Sequence, residues 1–101
     1  MLLTYYTIGV KMEDDLLIKL AYVNISSYRA KATKALKNDI MTPTKIADET
    51  GIRKNHISKV LRELKDVGVA ECVNEEAHRG RLYRLTSAGE EIVDYVVLDM
   101  K

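Results

Sequence analysis

The stretch from Thr42 to Leu64 constrains the fold most tightly, because it spells two short helices separated by a turn too small to hold anything else. Thr42-Pro43 supplies a hydroxyl N-cap followed by a proline at the first helical position, where the missing N–H is no loss. Gly51, eight residues on, is placed to end that helix as a left-handed C-terminal glycine. After Gly51-Ile52-Arg53, the residues Ile57, Val60, Leu61 and Leu64 recur at i, i+3, i+4 and i+7, the stripe of a helix with one buried face. This second helix is predicted over 53–67 and stopped by Gly68. Ala47, four residues before Gly51, leaves room for the two helices to approach where they cross.

Flanking segments read less sharply. Ser26-Ser27 followed by an alanine- and lysine-rich run predicts a helix to about Lys37, ended by Asn38-Asp39. Asp14 to Ile25 is expected to be helical, with Leu17, Leu20 and Val23 or Asn24 on its apolar face. Beyond Gly68, residues 69–74 and 81–85 mix apolar and polar side chains about a polar tip, Glu75 to Gly80, which predicts a hairpin. Thr86-Ser87-Ala88-Gly89-Glu90 then resembles a capping box ahead of a C-terminal helix, whose valines also suit a strand. Residues 1–12 are an N-terminal extension left open between an added strand, a disordered tail and a segment upstream of a start at Met12.

The whole is 101 residues with one cysteine, a size that suits one domain, 13–101, without an internal disulfide. No apolar run is long enough to span a bilayer and the N-terminus lacks a basic leader, so the expected setting is soluble and cytoplasmic, away from membranes. Net charge is only +1, yet residues 28–65 carry ten basic side chains against four acidic ones. A cluster of that kind attracts a polyanion even when the total charge does not. A solvated helix face would carry the same lysines, so charge by itself does not choose.

Spacing chooses better. On a helix turning about 100° per residue, Asn55, Lys59 and Arg62 lie opposite the apolar stripe, with Ser58 and His56 flanking. Asn pairs bidentately with adenine, Arg or Lys with guanine, and Ser with base or phosphate. Arg53 and Lys54 stand at the helix N-terminus, where backbone amides also favour phosphate. Glu63 and Asp66 lie farther along, so the contact is expected to use the first two turns. Thr42, Thr44 and Lys45 begin the preceding helix as backbone clamps, and Arg79 and Arg81, with His78, sit about Gly80 at the hairpin tip.

These segments, with Gly80-Arg81-Leu82-Tyr83-Arg84-Leu85-Thr86, resemble the winged helix-turn-helix of small MarR-like and ArsR-like transcription regulators, especially compact archaeal ones, over about residues 26–97. The resemblance implies an α+β, mainly α fold: a helix-turn-helix, a two-stranded β-hairpin wing and flanking N- and C-terminal helices. It also implies double-stranded DNA as partner, with helix 53–67 in the major groove and wing 74–82 on the backbone. Apolar residues Ile92, Val93, Val96, Val97 and Met100 make 87–101 the expected dimerisation helix of a homodimer, with Asp14 to Ile25 a second contributor, and an unidentified effector would then bind at the dimer interface. The rival reading is a protein-protein interaction module within a larger assembly, whose sign would be an apolar exposed patch. His56, His78 and Cys72 lack metal-ligand spacing, and no catalytic arrangement or cofactor motif is present, so neither an enzyme nor a cofactor is expected.

Overall fold

In the computed structural model, which describes residues 12–98, the chain forms α1 (Asp14–Asn24), α2 (Ser27–Ala35), α3 (Pro43–Thr50), α4 (Lys54–Asp66), β1 (Ala70–Cys72), β2 (Tyr83–Leu85) and α5 (Ser87–Ile92), followed by a 3-10 turn, Val93–Tyr95. Several helix boundaries have a local cause. Ser26 accepts a hydrogen bond from the Arg29 amide, Thr42 from that of Lys45 and Thr86 from that of Gly89, so three helices begin on hydroxyl caps. Gly51 closes α3 at φ 77°, the left-handed conformation expected of it. The open alternatives for residues 1–12 concern a segment that, apart from Met12, lies outside the described residues.

Helices α2, α3 and α4 pack around Leu36, Ile46, Ile57, Leu61 and Leu64, all fully buried, with Val23 of α1 and Ile92 of α5 closing the core. Burying side chains of this size contributes about 1.5–3 kcal/mol each relative to leaving them in water. All four members of the predicted α4 stripe, Ile57, Val60, Leu61 and Leu64, point inward, and Ala47 is buried at the crossing. The hairpin pairs Ala70 with Leu85, Glu71 with Arg84 and Cys72 with Tyr83 in antiparallel register. Its other edge carries a contact that periodicity did not foretell: Met41 and Tyr83 exchange both backbone hydrogen bonds, at 3.0 and 2.8 Å, tying the residue before the α3 cap to the hairpin. This is a winged helix-turn-helix, mainly helical with a two-stranded wing.

Two expectations are corrected. On the apolar face of α1, Leu20 and Val23 stand where predicted, but Leu16 takes the inward place expected of Leu17. Leu16, Leu20 and Val23 meet the core, while Leu17 is 47% and Ile18 is 68% exposed. The C-terminal helix is also far shorter than 87–101: its α-helical part stops at Ile92, and Val96 is extended. Ile92, Val93 and Val96 are buried in this chain's own core, whereas the Val97 amide donates to the Asn24 side chain of α1 at 2.9 Å. Residues 99–101, including Met100, lie outside the described part.

Candidate nucleic-acid interface

The surface of interest is where α4, the N-terminus of α3 and the wing converge. Between them lies an open cleft of about 730 Å³ whose walls include Thr42, Thr44, Lys54, Ser58, Arg62, Arg79 and Arg81 from the predicted set. Lys65, His78 and Tyr83 complete its polar lining, and no carboxylate is among the lining residues. Five fixed cations in a concave wall with no lining anion give a field suited to a polyanion.

The residues are held in place by different means. Lys54 and Ser58 are one turn apart on α4, and the Ser58 hydroxyl bonds back to the Lys54 carbonyl at 3.4 Å. Arg53 caps α4 through its backbone alone, without a side-chain hydrogen bond to the first turn. The His56 amide donates to the Arg53 carbonyl, so the amides of Lys54 and Asn55 are those left to an acceptor from outside. On the preceding helix the Thr42 hydroxyl is occupied in capping Lys45, and the Lys45 ammonium lies 3.7 Å from Glu49. Both are thus partly committed within α3. On the wing, Arg81 Nε donates to the Ala77 carbonyl at 2.7 Å, leaving the rest of its guanidinium facing the cleft.

Asn55, Lys59 and Arg62 are all exposed, and neither the wing nor the described part of the C-terminus covers them. Of the three, Arg62 lines the cleft, and Asn55 and Lys59 continue the exposed α4 surface beyond it. Arg53, Lys54, Lys59 and Arg62 make no ion pair with another described residue. Arg29, Lys37, Lys45 and Lys65, from the same basic block, do. Arg29 is the most structural of these. It reaches Glu63 at 3.2 Å, donates to the Tyr22 carbonyl at 2.9 Å and stacks 3.8 Å from the Tyr22 ring centroid, clamping α1, α2 and α4 together. That pairing neutralises Glu63, one of the two acids that seemed ill placed for a phosphate. His56 is exposed but does not line the cleft, and its ring meets that of Tyr28 edge-on at 5.5 Å.

Lys65 is the cleft cation that sequence reasoning passed over, because it lies beyond the first two turns of α4. Helical arithmetic would have found it: Lys54, Ser58 and Lys65 fall within about 40° of one another around the axis. Its ammonium meets Glu75 at the wing base at 2.7 Å. This hydrogen bond holds the Glu75 carboxyl below its ordinary 4.5 and raises Lys65 above 10.5. Lys37, 2.6 Å from Asp94, likewise holds Asp94 below its ordinary 3.8, chiefly through a hydrogen bond.

Stability should follow these shifts in two directions. A depressed carboxyl pKa gives stability that is present above the unfolded value and is lost as pH falls through the folded one. The contributions of Glu75 and Asp94 should therefore disappear in acid, below pH 4.5 and 3.8 respectively. The raised Lys65 contributes below pH 10.5 and loses that contribution as pH rises through its folded value. Both pairs are exposed, so the effect is small. Melting curves over pH 3–6 check it, since Glu75→Gln should flatten part of the acid limb; an unchanged limb would remove the Lys65–Glu75 pair from the account.

Comparison with known proteins extends only to the fold. No protein-family profile and no curated protein sequence matches the chain. Solved structures do. A mutant form of ZitR from Lactococcus lactis superposes with a TM-score of 0.61 at 22% identity, covering 69% of this chain and 49% of that one. HlyU from Vibrio cholerae gives 0.68 at 13% identity over 83% and 92% of the two chains. The type III plasmid segregation protein TubR gives 0.69 at 15% identity over 91% and 96%. This chain thus spans about half the length of the ZitR structure. Among the described residues no helix is long and apolar enough to cross a membrane.

Proposed function

We propose that the protein binds double-stranded DNA in a sequence-selective manner and acts as a transcription regulator, with α4 entering the major groove and the wing resting on the adjacent backbone. The observation that carries this reading is the uninterrupted polar face of α4. Asn55, Ser58, Lys59 and Arg62 are exposed beside a cleft lined by the cations of helix and wing. Lys54, Arg79 and Arg81 would neutralise phosphates and fix the register, while Asn55, Ser58, Lys59 and Arg62 would choose among base edges. One of the structural neighbours is by name a plasmid segregation protein, and a DNA partner for this chain is in keeping with that shared fold.

The interaction-module alternative wants an apolar recognition surface, and the exposed large hydrophobics lie off α4. Leu17, Ile18 and Ile25 are on or just after α1, and Tyr95 and Val97 are near the C-terminus. These residues supply the natural place for a second copy in the homodimer that this reading includes, and sedimentation of the purified chain reads its oligomeric state.

Electrophoretic mobility titration on a random duplex pool, followed by selection and sequencing of the bound fraction, tests the reading. Arg62→Ala should cost about 1–3 kcal/mol and relax preference at one base position if the guanidinium meets a base. Uniform weakening across all sequences would instead reduce Arg62 to a phosphate contact. Absence of any enriched sequence from the wild-type selection would count against selective recognition.

A further inference from the structure

The wing is an unusual hairpin in that its paired part is short and its tip is long. Beyond the β1/β2 register, one further ladder bond runs from the Val73 amide to the Leu82 carbonyl at 2.8 Å. The chain then travels from Asn74 to Arg81 with a single backbone hydrogen bond inside it, Ala77 amide to Asn74 carbonyl at 2.9 Å. A loop of this length with so little backbone bonding would sample many conformations, and ordering it costs about 1–2 kcal/mol per residue. Yet Arg79 and Arg81 have defined places on the cleft wall.

The side chain of Asn74 supplies the missing closure. Its Oδ1 accepts from the Leu82 amide at 2.8 Å and from the Cys72 thiol at 3.5 Å, and its Nδ2 donates to the Gly80 carbonyl at 3.3 Å. The amide thus spans both strands of the loop and takes hold of it immediately after Arg79. Gly80, at φ 66°, turns the chain at that point in a conformation that suits glycine. A residue away from Asn74, the Glu75 carboxylate grips Lys65 of α4, so the same end of the loop is anchored to the helix. Asp does not replace the arrangement, because a carboxylate has no donor for the Gly80 carbonyl, and Ser does not, because its single hydroxyl oxygen cannot stand in for an acceptor and a donor carried on two separate atoms.

We propose that Asn74 is the positioning residue of the wing: by bridging Leu82 and Gly80 it preorganises Arg79 and Arg81 for the duplex, and it contributes to binding through Arg79 rather than by touching DNA itself. This rests on the DNA-binding reading and names how one half of that site is assembled. Preorganisation matters because a loop that must be ordered on binding spends part of its contact energy on that ordering.

A double-mutant cycle on the full chain separates positioning from general stability. The probe is a selected or, failing enrichment, a random-sequence duplex at low salt. Asn74→Ala should weaken duplex binding about three- to tenfold, the loss of hydrogen bonds that hold the arginine in place. Hydrogen exchange at the Leu82 amide should quicken in the same variant, because its acceptor is gone. Arg79→Ala should weaken binding on its own, and the double variant should lose clearly less than the sum of the two single losses. Gly80→Ala enters the same cycle by a separate route, straining the loop where space is open but φ is positive, and it too should be non-additive with Arg79→Ala. Additive losses in both cycles, or full wild-type affinity in Asn74→Ala with a quickened Leu82 amide, would overturn the positioning role. If the wild-type chain fails to bind any duplex, the DNA reading falls and the positioning role falls with it. If wild type binds and the cycles are additive, the inference about Asn74 alone is lost.

Discussion

Raising salt from about 50 to about 200 mM is expected to weaken duplex binding by about 500-fold, because contact with about five phosphates predicts a slope near −4.5 in log affinity against log salt. The count comes from the molecule. Lys54, Arg62, Arg79 and Arg81 face the cleft without a carboxylate partner among the described residues, and Lys59 stands exposed on the same helix. Lys65 is left out because Glu75 already holds it. Removing Glu75 by Glu75→Gln should release that lysine and steepen the slope by up to about one further unit. Fluorescence anisotropy of a labelled duplex at several salt concentrations gives the slope directly. A slope shallower than about −2 would mean that the basic wall does not meet phosphates.

Gly89→Ala is expected to be the most damaging single methyl in the protein, at about 2–4 kcal/mol, enough to lower the melting temperature by more than about 10 °C. Gly89 is helical and needs no special φ. What it needs is the absence of a Cβ: an added one would run into the Val69 backbone carbonyl and press on the Leu85 side chain. The Val69 carbonyl cannot move aside freely, since it accepts from the Thr86 amide at 3.0 Å. The Thr86 hydroxyl also caps α5 at Gly89 and bonds to the Gly68 carbonyl. One methyl therefore strains the cap, the hairpin start and the seating of α5 together. Gly51→Ala is the control. Its surroundings are empty and only φ 77° objects, so it should cost about 1 kcal/mol. A thermal melt that ranks the two variants the other way would show that α5 is free to shift off β1.

The contrast between these glycines marks what can be read from residues alone. Gly51 declares itself through local grammar, a helix of proline-started length followed by an apolar pattern in new phase. That grammar places α3, α4 and the turn between them almost to the residue. Gly89 meets Val69 twenty residues away, and nothing in Ala88-Gly89-Glu90 announces the encounter. The choice of Leu16 over Leu17 in α1 is hidden for a related reason. Leu16, Leu17 and Ile18 are three apolar residues in a row, and a run of that kind does not say which of them faces inward; packing against α2 and α5 decides.

The C-terminal segment misled through composition. Its β-branched residues fit a helix poorly, and the chain leaves α-helical form at Ile92, with Val93 and Val96 buried and Val97 bound to α1. At the candidate interface, the α4 face was legible because helical periodicity assigns every side chain an angle once the buried stripe is known. Lys65–Glu75 and the Asn74 bridge were not, since both depend on where the wing folds back, which is set by the Met41–Tyr83 pairing and by the hairpin register.

Amide shift perturbation on titrating the isotopically labelled chain with a selected duplex reads the binding face residue by residue. The account predicts that changes concentrate in α4 from Arg53 to Arg62 and in the wing from His78 to Arg81, with Leu17, Ile18 and Ile25 unmoved. Perturbations centred on α1, with the α4 amides silent, would contradict it.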